Sequence, residues 1–380
     1  MQLSSTLLYL SCALGTGAQA SFYAAISQYS QLSNFTSFYE NNFPLASLLL
    51  TNSSTEPHTI LVPNNDAFAK YERDNGYSIT ALSTTELTSL IQYHVLVGRL
   101  SSANFSESRG LTAPSLLVGE QYNNRSAGAA LSANFSDPAS ANGQVVFIQS
   151  GLQSSSKKFR VRGAGLQSLE VRSGLSSDAN LTALDGIWDG GMFQMIDQFL
   201  TLPEHCSTTI RNSGLSSFDS AITRAGIWDD LDDSANYTCI GPTDAAFANA
   251  QHPENNLNNS ALESAMKMHT FPQVLYTNFL EDGQVYLSDN ELKIRVTVKE
   301  GEVWFNDAKV VSPNVITNNG VVHVVDKVMS SLEDLSASTS ASAVPSPTST
   351  GAPSKSGAAI LAFPDVKLGL FVLLAFVLTL

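Results

Sequence analysis

Apolar and polar positions alternate in one part of the chain in a way that predicts a β-hairpin. Leucine, isoleucine and valine at every second position from residue 292 to 298 alternate with lysine, arginine and threonine up to residue 299. Glu300, Gly301 and Glu302 then predict a turn into a second strand that begins at Val303. One face of these strands would pack on the core and the other would be solvated.

A second pattern predicts a strand with no solvated face. Residues 321–328 are apolar at nearly every position except His323 and Asp326. Such a run is typical of a central strand that is buried on both faces. We expect His323 to be a hydrogen-bonded core histidine.

A helix is predicted before residue 238 by apolar residues at roughly helical spacing, with Ser216 or Ser217 as the N-cap. The apolar positions are Phe218, Ile222, Ala225 and Leu231. Strands and helices in one module predict an α+β fold, a β-sandwich with helices packed on one side.

The chain contains one module twice. Three pairs of segments match in the same order: TILVPNNDAF (59–68) with TCIGPTDAAF (238–247), Tyr93-His94-Val95 with Met268-His269-Thr270, and GMFQMIDQF (191–199) with GVVHVVDKV (320–328). The last pair aligns without gaps. Matches in a fixed order indicate a duplicated domain and not a chance similarity.

The first copy is longer than the second. His94 and Asp197 lie 103 residues apart, whereas His269 and Asp326 lie 57 residues apart, so copy one has about 46 more residues. Residues 120–180 are rich in asparagine, serine and glycine, and we expect a long polar surface insertion there.

The three motifs together resemble the fasciclin-type (FAS1) domain of extracellular adhesion proteins. The resemblance divides the chain into two tandem FAS1-like modules, residues 21–202 and 203–335. Copy one has Gln194 where the family usually has histidine, and copy two has Met268 where it usually has tyrosine.

The resemblance also implies candidate contact residues, because the Tyr-His segment of FAS1 domains is linked to contact with adhesion receptors. The candidates are Tyr93, His94 and His269. Another interpretation stays open for the histidines. Each imidazole would be partly buried and hydrogen-bonded, and would fix the helix after the first strand against the sheet.

The N-terminal residues resemble a secretory signal peptide, residues 1–20. Residues 7–14 form a short apolar core, and Ala18-Gln19-Ala20 offers a small-x-small cleavage site. The mature chain is then expected to begin at Ser21.

The C-terminal residues have the order of a GPI-attachment signal, with a short buried helix as the alternative. Residues 336–356 are mostly serine, threonine, alanine and proline, which predicts a disordered stalk. We expect attachment at Ser356 or Gly357 and removal of residues 357–380, whose last 13 residues carry no charge. That tail is shorter than the roughly 20 residues of a spanning helix.

Secretion would expose the chain to glycosylation and oxidation. Eight Asn-x-Ser/Thr sequons are candidate N-glycosylation sites: Asn34, Asn52, Asn104, Asn124, Asn134, Asn180, Asn236 and Asn258. Two of the three cysteines, Cys206 and Cys239, remain after removal of a signal peptide. They form one plausible disulfide, with two separate buried thiols as the alternative.

Charge excludes one class of partner. The net charge is −14 and the isoelectric point about 4.7, the opposite of a nucleic-acid-binding surface. Residues 157–162 are a local basic exception and are expected to form a half-buried strand, with a site for acidic glycans as the alternative. The acidic residues 229–233 are expected in a solvated turn.

Motifs of the common enzyme classes are missing from the sequence, so we expect neither catalysis nor a cofactor or metal. The expected function is adhesion at the cell surface, or organisation of the cell wall or extracellular matrix, through two weak binding modules on a lipid-anchored stalk. Receptors or wall glycans are the expected partners. The alternatives are a glycan-binding structural wall protein and a carbohydrate-active hydrolase.

Overall fold

The structure is a computed structural model that describes residues 8–9, 20–42, 57–135, 140–150 and 169–331. Several sequence-based predictions concern residues outside these ranges. They are most of the signal peptide, Asn52, the basic segment 157–162, the stalk 336–356, and the GPI signal with Ser356 and Gly357. Both modules belong to one compact unit.

Module 1 is built from seven strands and six helices among the described residues, preceded by a two-residue strand, β1 (Leu8–Tyr9), that pairs in parallel with β7. The strands are β2 (His58–Pro63), β3 (Val95–Val97), β4 (Leu111–Pro114), β5 (Val145–Ser150), β6 (Leu169–Arg172), β7 (Asp178–Trp188) and β8 (Gly191–Ile196). The helices are α1 (Phe22–Ile26), α2 (Ser33–Asn41), α3 (Asn65–Asn75), α4 (Thr84–His94), α5 (Ser102–Phe105) and α6 (Gly128–Asn134).

Module 2 repeats this plan. Its strands are β9 (Tyr237–Pro242), β10 (Thr270–Phe271), β11 (Val285–Leu287), β12 (Lys293–Lys299), β13 (Glu302–Phe305), β14 (Ala308–Thr317) and β15 (Gly320–Val325). Its helices are α7 (Cys206–Asn212), α8 (Ser216–Ala225), α9 (Trp228–Asp233), α10 (Asp244–Asn249), α11 (Pro253–Asn256) and α12 (Asn259–Met268). The predicted hairpin corresponds to β12 and β13.

The order of the strands is the same in both sheets, which confirms the duplication. The sheets read β3-β2-β8-β7-β6-β5-β4 and β10-β9-β15-β14-β13-β12-β11. In each module the closing strand, β8 or β15, lies parallel to the first long strand, β2 or β9, and antiparallel to the strand before it. The register also agrees, because Gly191 pairs with His58 and Gly320 with Tyr237.

The closing strand is buried on both faces, as the apolar run predicts. Every residue of β15 is buried. Val322 and Val324 pack in the cluster that contains the helices α7, α8 and α12, whereas Val325 packs in the cluster formed with β12 and β13. The helices therefore cover one side of this part of the sheet, and the outer strands cover the other.

The sheet of each module bends at the long strand before the closing strand. The registers of β7 and β14 each shift twice against the closing strand. Asp185 in β7 and Asn314 in β14 have left-handed φ values of 65° and 49°. Such bulges increase the twist of a strand, and here they fold the outer strands back over the sheet to give the wedge of the α+β module.

The helix before β9 differs from its prediction. Helix α8 begins after Leu215, which makes no side-chain cap, and ends at Gly226 in the left-handed conformation. Leu231 therefore belongs to the separate helix α9, which also contains the acidic residues 229–233. Glycine at this position ends a helix because it has no Cβ to oppose a positive φ.

The extra residues of module 1 lie in two connections. One joins β4 to β5, and the other, joining β5 to β6, lies largely outside the described residues. The first connection is packed where the sequence suggests a solvated loop. Leu117, Leu131 and Phe135 are buried in the core of module 1. Composition cannot show this, because a few apolar residues among many polar ones are enough to dock a segment.

Glycine begins both closing strands for a steric reason, which gives a test of the parallel pairing. A Cβ atom on Gly320, at φ 158°, would overlap the carbonyl oxygen of Tyr237. We expect Gly320→Ala to lower the free energy of unfolding by about 3 kcal/mol or more. Gly119→Ala is the control, since no atom lies within 4 Å of its Cβ position. Denaturant unfolding curves that shift equally for the two variants would contradict this account.

Candidate functional site

His94 and His269 lie at the C-terminal ends of α4 and α12 and make the same pair of hydrogen bonds. Nδ1 of each donates to the carbonyl oxygen one turn earlier, at 2.7 Å and 2.8 Å respectively. Nε2 of His94 accepts from the N–H of Leu200, and Nε2 of His269 accepts from that of Met329, both at 3.0 Å. Each imidazole therefore ties a helix end to the chain just after the closing strand.

None of the three predicted contact residues lies on the surface. Tyr93 and His269 are fully buried and His94 is 5% exposed. The hydroxyl of Tyr93 donates to the carbonyl oxygen of Val145 at 2.9 Å. The equivalent histidines lie at equivalent places in the two modules, but a partner would meet the surface above these side chains. Contact with a partner stays a prediction.

A second buried polar network, which the sequence analysis missed, joins the bulge to the closing strand. In module 2, Nε2 of His323 donates to the carbonyl oxygen of Leu275 at 2.6 Å, and Nδ1 accepts from the N–H of Asn314 at 3.1 Å. Oδ1 of Asn314 accepts in turn from the N–H of Thr277 at 3.0 Å. His323 is the satisfied core histidine that its position predicts.

Glutamine takes the place of this histidine in module 1 with the same two bonds. Nε2 of Gln194 donates to the carbonyl oxygen of Leu100 at 2.9 Å, and Oε1 accepts from the N–H of Asp185 at 2.8 Å. Oδ1 of Asp185 accepts from the N–H of Ser102 at 2.8 Å. The network therefore survives the substitution, but in module 1 this position cannot take up a proton.

A threonine at the start of the repeated decapeptide completes each network. Thr59 donates to the carbonyl oxygen of Gly98 at 2.7 Å, and Thr238 donates to that of Gln273 at 2.7 Å. Both hydroxyls also accept one backbone N–H bond. The match of the two decapeptides pairs these threonines, so the sequence did carry a signal for this part of the network.

The two cysteines lie side by side in module 2. Their sulfur atoms are 3.3 Å apart, and both residues are buried as free thiols. The contact with Cys239, together with burial, raises the pKa of Cys206 well above its usual value. A disulfide requires a sulfur separation of about 2.05 Å, so the bond stays a prediction.

Seven of the sequon asparagines lie among the described residues, and none of the seven is buried. Asn236 lies between the modules, where Oδ1 accepts hydrogen bonds from the N–H and the hydroxyl of Ser126 at 2.6 Å and 2.9 Å. The use of each sequon stays a prediction.

Polar contacts join module 2 to the β4–β5 connection of module 1. The fully buried Gln144 donates from Nε2 to the carbonyl oxygen of Thr317 at 3.1 Å. The N–H of Asn124 donates to the carbonyl oxygen of Asn318 at 2.7 Å. Arg172 at the end of β6 donates to that of Pro313 at 2.6 Å. The accepting carbonyl oxygens lie on β14 and in the turn after it.

Apolar side chains complete this seam. Tyr276, Ile316 and Val321 of module 2 are buried in the hydrophobic cluster of module 1. Because apolar burial and satisfied polar groups occur together, the seam resembles a specific protein interface more than a flexible linker.

An open groove lies on module 1 above His94. It has a volume of about 400 Å³ and lies between α3, α4 and the chain that follows β8. Its aromatic residues include Tyr71 and Phe199, whose rings meet edge to face at 5.5 Å. Phe199 also contacts the ring of His94 at 5.6 Å. Phe199 therefore connects the groove with His94, one of the predicted contact residues of module 1.

Polar groups line the other side of the groove, among them Tyr122, Gln198 and Glu204. Burial raises the pKa of Tyr71 to about 12. Burial, with smaller effects of Glu204 and Glu86, also raises the pKa of Tyr122. Both phenols therefore keep their protons at physiological pH and can donate hydrogen bonds.

Within the described ranges, no three histidine, cysteine or acidic side chains come close enough together to hold a metal ion. In the same part of the chain, no helix has the length and apolar character needed to span a membrane.

The repeated wedge and its two buried networks define a protein made of paired modules of one family. The family model of the Fasciclin domain matches residues 30–201 and 213–331. The chain therefore belongs to the fasciclin (FAS1) domain family and carries two such domains in tandem.

Several relatives match part of this chain in sequence. A fasciclin-like arabinogalactan protein, elcF, of Phaeosphaeria nodorum is 26% identical over 273 residues, which are 71% of this chain and 77% of the relative. A fasciclin-like arabinogalactan protein of Cercospora beticola is 29% identical over 181 residues, 47% of this chain and 48% of the relative. Protein sll1483 of Synechocystis is 30% identical over 126 residues, which are 31% of this chain and 68% of the relative.

A solved structure of a FAS1 domain pair from the insect cell adhesion molecule fasciclin I is also similar. The match covers 80% of this chain and 98% of that one, with 16% identity and a TM-score of 0.36.

The buried histidines predict acid sensitivity. Burial lowers the pKa of His94, His269 and His323 from 6.5 to about 4. The unfolded chain therefore binds more protons between these values, so stability is fully present above about pH 6.5 and falls as the pH drops towards 4. Each histidine costs about 2 kcal/mol of unfolding free energy at pH 5. Chemical unfolding at pH 7 and pH 5 measures the loss.

Gln194 supplies the matched variant for this test. We expect the unfolding free energy of His323→Gln at pH 7 to lie within about 1 kcal/mol of the natural chain. Its loss of stability between pH 7 and pH 5 should be about 2 kcal/mol smaller than that of the natural chain. His323→Leu should be about 3 kcal/mol less stable than His323→Gln at both pH values, because it leaves the N–H of Asn314 and the carbonyl oxygen of Leu275 unpaired. A His323→Gln variant with the unchanged pH dependence of the natural chain would refute this explanation.

Proposed function

We propose that this protein acts outside the cell, in adhesion or in the organisation of the cell wall or extracellular matrix. The observation that carries the proposal is the fusion of two FAS1 domains into one unit by a buried seam. The relatives named fasciclin-like arabinogalactan proteins, and the position of seven sequons outside the core, support an extracellular setting.

The mechanism is presentation of binding surfaces. A signal peptide would direct the chain to the secretory pathway and be removed after residue 20, and a GPI anchor at Ser356 or Gly357 would hold the protein on the membrane beneath a stalk of residues 336–356. Many anchored copies would bind cooperatively through contacts that are individually weak. Tyr93, His94 and His269 would act by fixing α4 and α12, whose outer faces meet the partner.

Attachment of cells that display the protein tests this proposal. We expect these cells to adhere to matrix or to other cells, and a phosphatidylinositol-specific phospholipase to release both the protein and the adhesion. Tyr93→Phe should leave adhesion unchanged, because it removes only a hydrogen bond worth about 1 kcal/mol. Loss of adhesion in a stably folded Tyr93→Phe variant would instead show that its hydroxyl meets the partner. Adhesion that persists after the protein is released would refute the proposed function.

We also propose that Cys206 and Cys239 form a disulfide after secretion. The adjacent sulfur atoms, 33 residues apart in sequence, support this pairing. Secreted protein that is denatured without reduction should bind no thiol reagent, and Cys239→Ser should lower the free energy of unfolding by about 2–4 kcal/mol. Reduced protein is the control for labelling. Two labelled cysteines before reduction would show that the bond is absent.

A further inference from the structure

We propose that the groove of module 1 binds a neutral saccharide chain. This inference rests on the proposed extracellular function and names the chemical class of one of its ligands. The volume of the groove, about 400 Å³, lies within the roughly 300–1,000 Å³ of small-molecule sites.

One wall of the groove is aromatic. Tyr71 and Phe199 line it and pack edge to face at 5.5 Å. Outside the groove, Phe68 packs against Phe199 at 5.0 Å and Tyr77 against Tyr71 at 6.1 Å. Tyr71 and Phe199 are only half-buried, and Tyr77 is 45% exposed. Tyrosine rings combine an apolar body with a polar tip. A sugar ring has the matching character, with C–H faces between hydroxyl groups.

The opposite wall offers both donors and acceptors. Neither the hydroxyl of Tyr122 nor the carboxylate of Glu204 is hydrogen-bonded to another residue in the described ranges. Gln198 donates to the hydroxyl of Ser177 at 2.7 Å, which leaves its carbonyl oxygen as an acceptor. Sugar hydroxyls donate and accept at the same atom, so a mixed wall of this kind suits them.

Charge favours a neutral ligand over an acidic one. Lys70 is paired with Asp74 at 3.0 Å, so these two charges compensate each other. Glu86 accepts bonds from the N–H and hydroxyl of Ser83 but keeps its negative charge, because both donors are neutral. Glu86 and Glu204, together with the net charge of −14, disfavour an acidic glycan.

The aromatic wall of the groove has no counterpart in module 2. At the offset of the decapeptide match, Tyr71 corresponds to Ala250, and the closing-strand match pairs Phe199 with Val328. Tyr122 lies in the connection that lengthens copy one. Binding should therefore depend on the aromatic residues of module 1.

The saccharide has two possible sources. It would come from the cell wall or matrix, or it would be this chain's own glycan at Asn124, two residues from Tyr122. Enzymatic trimming of N-glycans and the variant Asn124→Gln separate these sources. If the protein's own glycan occupies the groove, both treatments should increase binding of added saccharide.

Titration calorimetry on the full mature chain, with N-glycans trimmed, tests the proposal. The probes are neutral β-glucan, mannan, galactan and chitin oligosaccharides, with heparin fragments, polygalacturonate and an arginine-rich peptide for comparison. We expect at least one neutral saccharide to bind. Tyr122→Phe should weaken that binding about fivefold and Tyr71→Ala about tenfold, since each removes one groove contact.

Trp304→Ala, on a half-buried aromatic of module 2 outside the groove, is the matched control and should leave saccharide binding unchanged. Melting curves show whether each variant is folded, and Tyr122→Phe keeps the test valid if Tyr71→Ala unfolds. The proposal is overturned if no neutral saccharide binds, if Tyr122→Phe binds as tightly as the natural chain, or if the groove variants affect only the peptide.

The outcomes for the groove and for adhesion are distinguishable. Cells that adhere through the natural protein while no saccharide binds would overturn the groove assignment and leave the proposed function in place. Groove-dependent saccharide binding without adhesion would support the groove and remove the adhesive role.

Discussion

The parallel pairing of the closing strand with the first long strand is the constraint on which each module depends. It places β8 or β15 in the middle of the sheet, with helices on one face and the outer strands on the other. A strand in that position has no solvated face, so its polar groups need partners inside the protein. Gln194 and His323 meet this need by bonding the bulge of the preceding strand.

The two modules solve the same structural problem with different chemistry. His94 and His269 are equivalent and make equivalent bonds, whereas Gln194 and His323 make equivalent bonds with different side chains. Geometry is therefore kept while the proton-binding property is lost in one copy. The buried positions of His94 and His269 explain why this histidine recurs in both copies without being exposed.

The sequence could predict what depends on local pattern and on comparison of the two copies. The apolar run 321–328 predicts a doubly buried strand, and the three repeated motifs predict one topology for both modules. What escaped prediction depends on contacts between distant residues. Gln144 sits in a polar, loop-like segment, yet its side chain is fully buried against Thr317, 173 residues away.

The groove escaped prediction for the same reason. Tyr71, Tyr122 and Phe199 come from three separate segments, and none of them stands out alone as a binding residue. The seam with module 2 orders the segment that carries Tyr122, because the neighbouring Asn124 bonds to Asn318. Module 2 therefore contributes to the groove of module 1 by holding one of its walls.

The central position of β15 also determines how module 2 would respond to mechanical tension. A pull on the chain beyond residue 331 enters the sheet at the C-terminal end of β15, which is bonded along its length to β9 and β14. Such a load acts along the strand and shears many bonds at once, instead of peeling them one by one. The unfolding rate under load would then be set by the whole strand.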